Sequence, residues 1–522
     1  MSGPGLSAPR LCVSALSGGG GKTLLSLGLA RALRGRGLTV KTFKKGPDYI
    51  DAAWLGLASG LPATNLDPFF LSASALRDLF ARSLKAVHAP GRETLALLEG
   101  NRGLFDGLDV AGSCSTAELA RILACPVLFS LDCTKMTRTA AALVQGLLAF
   151  EPGLHFCGVV LNQVGSARHE GIVRRAIEAH TDLPVLGALP RLEGNPLPER
   201  HMGIASSGHW LAEDAEARLE RMAALMRGHL DLDAVLAAAC AAPPLSPDTL
   251  ETPEPQTRTE VISGTAAAPS DVTPVPPKLC PPVSGAGSEV RPRIGYVRDA
   301  AFWFYYAENL QALEDAGAEL LELRLVSDDA DDGPEQDARW QSLDGLWLGG
   351  GFPEDCGPEL SRSPRLPLIV RLAQQGLPVY AECGGFMLLS EGIERDKAFW
   401  PMCGLFPVRA SFCPRPQGLG YLAGRVVADN PFFPVGLELR GHEFHYSRCR
   451  WQGETPAPAL ALSRGQGMGL MGTPPHKGDG LTRWRVWAAY AHIFAPAVPC
   501  WAPNFVSAAR QYRKEKELCA SR

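Results

Sequence analysis

Short runs of consecutive apolar residues, separated by stretches with helical spacing, recur in two parts of the chain. In the first part these runs begin at Leu11, Thr39, Leu95, Val127 and Cys157. In the second part they begin at Ile294, Leu320, Leu346 and Val379. Continuous rather than alternating apolar runs are typical of parallel strands that are buried on both faces. The pattern therefore predicts an α/β protein with two doubly wound, mostly parallel-sheet domains.

A proline-rich stretch separates the two parts. Residues 241–290 contain 11 prolines and few large apolar side chains. Such a composition cannot bury enough apolar surface to offset the entropy of ordering the chain, so it predicts a flexible linker. The predicted organisation is a first domain over 1–239, a Pro-rich linker over 240–291, a second domain over 292–510 and a tail over 511–522.

Composition narrows the class of protein. The chain has 522 residues, 46% hydrophobic and 20% charged, as in ordinary globular proteins. Lys and Arg number 51 against 55 Asp and Glu, so no global positive field would hold nucleic acid or an anionic membrane. No apolar run approaches the roughly 20 residues of a membrane span, and the start lacks the order of a secretory signal, so a cytoplasmic location is expected. The 14 cysteines form no C-x-x-C pair, which argues against a zinc ribbon.

A glycine loop follows the first apolar run and precedes a leucine-rich helical pattern. The loop consists of Ser17, Gly18, Gly19, Gly20, Gly21, Lys22 and Thr23. Its glycines let successive backbone N–H groups turn toward a polyphosphate, while Lys22 can reach the β and γ phosphates and Thr23 can ligate Mg²⁺. Leu16 stands where the strict G-x-x-x-x-G-K-[ST] pattern has its first Gly. The strand, loop and helix context nevertheless favours a phosphate site over a flexible glycine linker.

Acidic side chains follow three more of the predicted strands. They lie in residues 43–51, in residues 99–106 and at Asp132. A lone acid is often a helix cap or a solvated loop charge. Several acids behind a phosphate loop favour a site for a metal and a nucleotide.

A second chemical motif follows the apolar run at Val379. Cys383 and Gly384 stand between that predicted strand and a helical pattern, which predicts a tight turn with an exposed thiol at a helix start. Residues 349–353, after the strand at Leu346, could add an oxyanion donor. His492 follows another apolar run and is the candidate base. A buried, inert thiol would be the favoured interpretation of a single Cys, but the flanking glycines reverse that preference.

These motifs resemble the cobyrinic acid a,c-diamide synthase family. In the first part the resemblance lies in F-K-K-G-P-D-Y-I-D at 43–51, N-L-D at 65–67 and G-L-F-D-G at 103–107. In the second part G-G-G-F-P-E at 349–354, A-E-C-G-G at 381–385 and G-H-E-F-H-Y-S at 441–447 are similar to the cobyrinic acid-type branch of class I glutamine amidotransferases. The resemblance covers nearly the whole chain outside the linker.

The resemblance implies an amidation of the a and c acetate side chains of a corrin ring that uses ATP, Mg²⁺ and glutamine. The first domain would be the P-loop amidoligase, with the glycine loop binding ATP. By similarity the metal residues are Thr23, Asp48 and Glu99, and those near the carboxylate being activated are Tyr49, Asp51 and Asp106. The division of labour among the four acids stays open.

The second domain would release ammonia from glutamine. By resemblance Cys383 is the nucleophile and His492 the base, and the oxyanion donors are Gly350, Gly351 and Gly384. Most class I members carry Glu two residues after the base, whereas this chain has Phe494, so no third triad member is assigned. His442 and His445 are rival bases, although hydrogen-bonded structural histidines are the favoured interpretation of both.

Other functions remain open from the sequence. Hydrogenobyrinate and a nickel sirohydrochlorin are similar polycarboxylates that could replace cobyrinate. A P-loop ATPase switch with an inactive glutaminase domain is a different class of protein with a similar ATP site. The expected partners are small molecules, with no nucleic acid and no membrane, and homodimerisation is left open.

Overall fold

The computed structural model describes residues 8–192, 210–245, 290–326, 334–471 and 477–520. Most of the predicted linker, residues 246–289, lies outside these ranges. The elements of the first half are, in chain order, β1 Arg10–Ala15, α1 Lys22–Gly35, β2 Thr39–Lys45, α2 Tyr49–Ser59, β3 Thr64–Leu66, α3 Ala73–Val87, β4 Thr94–Glu99, α4 Thr116–Ile122, β5 Val127–Asp132, α5 Thr139–Phe150, β6 Phe156–Val164, α6 Ala167–His180, β7 Val185–Pro190, α7 Trp210–His229 and α8 Leu232–Cys240.

The first half contains one parallel sheet with the strand order β3-β2-β4-β1-β5-β6-β7. All five strands predicted here from apolar runs belong to it. In β1, Leu11 and Val13 pack into the core on one face of the sheet, whereas Cys12 packs into the core on the other. Burial on both faces explains why the run is continuously apolar. The segments that follow β1, β2 and β4 meet at the carboxyl edge of the sheet, where ligands of such folds bind.

The second half begins with β8. Its elements are β8 Arg293–Val297, β9 Phe302–Phe304, α9 Ala307–Asp315, β10 Glu319–Leu323, α10 Pro334–Gln341, β11 Gly345–Leu348, β12 Gly350–Gly351, α11 Gly357–Leu360, α12 Arg365–Gln374, β13 Val379–Glu382, α13 Gly384–Leu389, β14 Ser390–Arg395, β15 Ala398–Pro401, β16 Phe406–Phe412, β17 Gly418–Val426, β18 Glu438–His445, β19 Ser447–Trp451, β20 Leu460–Arg464, β21 Leu470–Met471, β22 Lys477–Asp479, β23 Leu481–Arg483, β24 Val486–Ala489, β25 His492–Ile493 and α14 Trp501–Ala520.

The central sheet of the second half has the order β10-β8-β11-β13-β24-β23. Its strands are parallel except for the β24–β23 pair. The four strands predicted in this half lie in it, so the α/β class is confirmed for both halves. Three further sheets were not predicted: the antiparallel pair β12-β9, and the mainly antiparallel sheets β15-β14-β16-β19 and β21-β22-β20-β17-β18-β25.

The predicted tail is helical in the structure. Helix α14 passes through residue 510, where the sequence analysis ended the second domain, and continues to Ala520. Tyr512 on this helix is buried in the core of the second half. Among helices within the described ranges, none combines the length and the apolar character needed to cross a bilayer.

The two halves share an apolar core. Trp303, Phe304, Tyr306 and Phe494 of the second half belong to the same buried cluster as the core on one face of the first sheet. Polar contacts cross the same boundary, because the Tyr421 hydroxyl donates to Asp67 Oδ2 at 2.5 Å. The carboxyl edge of the first sheet is thereby packed against the second half.

Candidate functional site

The glycine loop has the geometry predicted for a phosphate loop. It connects the end of β1 to the start of α1, and Gly21 adopts a left-handed φ of 86° directly before the helix. A Cβ at Gly21 would lie 2.2 Å from Asn162 Nδ2, so this position requires glycine both for its φ and for space. Ser130 Oγ donates to Gly20 O at 2.8 Å and anchors the loop from β5.

Lys22 and Thr23 face the carboxyl edge of the sheet. Lys22 Nζ donates to Ser17 O at 2.7 Å, which closes the loop on itself. Burial, together with the neighbouring ammonium of Lys44, lowers the pKa of Lys22. Thr23 Oγ1 donates to Glu99 Oε1 at 2.8 Å, so the predicted metal residues at the ends of β4 and of the loop are in contact.

Lys44 is a site residue that the sequence analysis missed. Its side chain is 1% exposed at the end of β2, and its Nζ lies 2.5 Å from Asp51 Oδ2 and 2.8 Å from Glu99 Oε1. Burial opposes its charge, but the carboxylates of Asp51 and Glu99 outweigh burial and raise the pKa of Lys44. The available signal was the pair of consecutive lysines, Lys44 and Lys45, at the end of a predicted strand.

The other predicted acids lie nearby with defined partners. Asp48 caps helix α2, since its Oδ1 accepts the Asp51 N–H at 3.0 Å, and burial raises its pKa. Asp106 Oδ2 accepts the Gly103 N–H at 2.8 Å. Asp132 accepts the Thr134 N–H and so closes its own turn. Asp48 is therefore a helix cap, and it lies near the ion pairs that Lys44 forms with Asp51 and Glu99.

The donors around Thr23 fit a magnesium ion. Glu99 Oε2 is buried without a hydrogen-bond partner and lies beside the Thr23 hydroxyl that binds Glu99 Oε1. Hydroxyl and carboxylate oxygens are ligands that Mg²⁺ prefers, and it commonly takes its remaining ligands from phosphates and water. Among the described ranges, no cluster of three or more His, Cys, Asp or Glu residues could by itself hold a metal ion.

Cys383 lies at a strained turn between β13 and α13. Its φ of 48° and ψ of −102° are unusual for a residue with a side chain. The turn is pinned because the Gly385 N–H donates to Gly349 O at 2.9 Å, and a Cβ at Gly385 would lie 2.2 Å from Leu348 O. Gly384 and Gly351, two predicted oxyanion donors, are also adjacent, since a Cβ at Gly384 would lie 3.1 Å from Gly351 N.

The predicted exposure of the Cys383 thiol is wrong. The residue is 2% exposed, and its Sγ donates to Phe444 O at 3.4 Å, so β18 covers the turn. Burial raises the pKa of Cys383, with a further contribution from the carboxylate of Glu354. A thiol in this state needs a neighbouring base before it can act as a nucleophile.

His492 is fully buried on β25, between the two glycine turns and a carboxylate. Its Nδ1 lies 3.3 Å from Glu382 Oε2, and its Nε2 has no hydrogen-bond partner. The ring packs on β12, because a Cβ at Gly350 would lie 2.5 Å from His492 Cε1. The structure thus groups His492 with Gly350, and it adds Glu382, which the sequence analysis missed although it directly precedes Cys383 in the A-E-C-G-G motif.

The two rival histidines have packing contacts. His442 stacks on His492 with ring centroids 4.8 Å apart, and its Nδ1 lies 3.4 Å from the Tyr306 hydroxyl. Burial lowers the pKa of His442. His445 stacks on Tyr490 at 3.7 Å, and its Nδ1 lies 2.9 Å from Ser447 O.

Tyr49 links the phosphate-loop site to the cysteine site. It is the first residue of α2, between Asp48 and Asp51, and its ring lies 4.2 Å from that of Tyr306 and 5.5 Å from that of His492. The Tyr49 ring therefore stacks on Tyr306 and makes a T-shaped contact with the His492 ring.

Comparisons with known proteins match both halves. A family described as the CobQ/CobB/MinD/ParA nucleotide binding domain matches residues 11–204, and the CobB/CobQ-like glutamine amidotransferase domain matches residues 293–498. A cobyrinate a,c-diamide synthase from Magnetococcus marinus is 38% identical over 95% of this chain and 96% of its own. The proteins of the same name from Syntrophotalea carbinolica and Dehalococcoides mccartyi are 38% and 34% identical, each over 97% of this chain and 99% of their own.

Proposed function

The chain belongs to the cobyrinate a,c-diamide synthase family, and from this premise we propose that it converts the a and c acetate carboxylates of cobyrinate to amides in cobalamin biosynthesis. It is a ligase that forms C–N bonds with glutamine as the amide-nitrogen donor and ATP as the source of energy. The observation that carries the proposal is the joining of a phosphate-loop site and a Cys–His site through Tyr49 within one packed molecule.

In the second half, Cys383 and His492 would release ammonia from glutamine. The Cys383 thiol proton passes to His492 Nε2, the sulfur adds to the amide carbon, and the C–N bond breaks as ammonia takes the proton. The N–H groups of Gly351 and Gly384, which lie next to each other, would stabilise the oxyanion. Water then hydrolyses the thioester and releases glutamate.

In the first half, the substrate carboxylate would be activated by phosphorylation. A carboxylate oxygen attacks the γ phosphorus of ATP, ADP leaves, and ammonia displaces phosphate from the acyl phosphate. Lys22 and Lys44 offset the negative charge that gathers as carboxylate and phosphate approach. The Asp51 carboxylate on α2 forms an ion pair with Lys44. Asp51, Asp106 and Tyr49 are the residues that would lie near the substrate carboxylate.

Magnesium would be held by Thr23 and Glu99, with Asp48 as a further acid nearby, and it would neutralise phosphate charge during the transfer. Burial of Glu99 in the Lys44 ion pair keeps this carboxylate in place. The cytoplasm, where ATP and glutamine are supplied, is the proposed compartment, and homodimerisation remains a prediction.

Purified protein incubated with cobyrinic acid, ATP and Mg²⁺ tests the proposal. With glutamine we expect two carboxylates to become amides, measured by mass spectrometry. Cys383→Ala should lose this activity with glutamine and keep it with ammonium, because only the ammonia source is removed. Hydrogenobyrinic acid and nickel sirohydrochlorin serve as rival substrates. ATP hydrolysis without amidation of any of the three would contradict the ligase proposal and favour an ATPase switch.

A further inference from the structure

Glu382 is held in place by hydrogen bonds on both carboxylate oxygens. Its Oε1 accepts the Ile493 N–H and the Tyr380 hydroxyl, each at 3.1 Å. Its Oε2 lies 3.3 Å from His492 Nδ1. The side chain is 1% exposed. The carboxylate therefore has one orientation, and that orientation is directed at the imidazole.

Phe494 stands two residues after His492, where most class I amidotransferases carry a glutamate. In this fold Phe494 packs at the boundary between the two halves, 5.1 Å from Tyr306 and 6.0 Å from Phe70 between ring centroids. An acid there would be buried among aromatic rings. A partner for His492 has to come from another strand, and β13 supplies one.

Resting on the function proposed above, we propose that Glu382 is the positioning residue of the glutaminase, holding His492 so that Nε2 is free to take the proton of Cys383. A carboxylate on Nδ1 keeps the ring proton there and leaves Nε2 as the acceptor. It also stabilises the imidazolium that forms when the thiol proton is transferred. Because Glu382 directly precedes Cys383, one strand end places both the nucleophile and the group that orients its base.

The alternative pair is His445 with Glu443. Their closest atoms, His445 Nε2 and Glu443 Oε2, are 3.6 Å apart. Glu443 accepts the backbone N–H groups of Gln466 and Gly467 at 2.7 and 2.8 Å, so its carboxylate holds a loop. Replacing Glu382 or Glu443 by glutamine therefore tests which of the two Glu–His pairs serves the glutaminase.

The test compares Glu382→Gln, Glu382→Asp and Glu443→Gln in the full chain, measuring amidation of cobyrinic acid with glutamine and with ammonium. Glu382→Gln presents an amide to Nδ1 and favours the wrong tautomer, so kcat with glutamine should fall about 10²–10⁴-fold. KM for glutamine should change little, since Glu382 orients the base rather than the substrate. Ammonium-dependent amidation should stay within about twofold of wild type. Glu382→Asp should recover part of the loss.

The outcomes separate this proposal from the function on which it rests. Failure of the wild-type protein to amidate with ammonium would contradict the proposed ligase function. If the wild type works and Glu382→Gln keeps its glutamine-dependent kcat, Glu382 is not the positioning residue. Loss in Glu443→Gln alone would assign the role to the His445 pair. If Glu382→Gln also loses ammonium-dependent amidation, Glu382→Asp is the variant to compare. Equal loss of amidation with glutamine and with ammonium in Glu382→Asp would overturn the proposal.

Discussion

At the scale of single residues, Glu354 carries a charge that its surroundings oppose. It lies in the 3₁₀ turn Pro353–Asp355 after β12, is 7% exposed, and has an Oε2 without a hydrogen-bond partner. Burial raises its pKa from 4.5 to about 7. The folded state holds the proton of the Glu354 carboxyl more tightly than the unfolded state does. Protonated Glu354 therefore leaves the folding free energy intact below pH 4.5, and its ionisation destabilises the fold as the pH rises toward 7.

We expect Glu354→Gln to match the wild type in thermal stability at pH 4.5 and to exceed it at pH 8. The removed penalty is at most about 3.5 kcal/mol, since each unit of pKa corresponds to about 1.4 kcal/mol. Melting temperatures at both pH values measure it. Glu359→Gln, an exposed glutamate nearby, should show no such divergence. An equal gap between Glu354→Gln and wild type at both pH values would contradict the assigned titration.

At the scale of elements, the junction between β1 and α1 depends on one glycine more than on its neighbours. Gly21→Ala would force a Cβ to 2.2 Å from Asn162 Nδ2 at a φ of 86°, whereas a Cβ at Gly18 has no atom within 4 Å. We expect Gly21→Ala to lower ammonium-dependent amidation at least about tenfold, and Gly18→Ala to change it less than about threefold. Glutamine hydrolysis should survive in both variants. Equal effects of the two alanines would show that the loop does not need the left-handed turn.

At the scale of the whole molecule, Tyr49 joins the two reaction sites across the boundary between the halves. Its ring stacks on Tyr306, whose hydroxyl donates to Pro47 O at 3.1 Å. Truncation would leave a gap in this aromatic boundary, through which ammonia could escape before reaching the acyl phosphate.

We expect Tyr49→Ala to release more glutamate for each amide formed, at least about twofold above wild type. Tyr49→Phe keeps the ring and should keep the wild-type ratio. Glutamate and amide are measured in the same reaction, with saturating ammonium as a check on the first half. An unchanged ratio in Tyr49→Ala would mean that the ring does not separate the sites from solvent.

Local motifs were predictable from the sequence because contiguous residues build them. The phosphate loop and the turn at Cys383 each join a strand to a helix through glycines, and both have that geometry in the structure. The parallel strands were equally evident from their continuous apolar runs. The antiparallel strand β17 is only partly buried and its apolar residues are interrupted by glycines, so its pattern is weaker.

The α/β class, the two glycine turns and the family resemblance follow from local patterns in the sequence. The partners of the reactive groups follow from the three-dimensional packing. Lys44 meets Glu99 across 55 residues, and His492 meets Glu382 across 110 residues. The burial of Cys383 likewise depends on β18, which is distant in sequence. Strand order and register set these contacts, and both arise from packing between segments that no local pattern encodes.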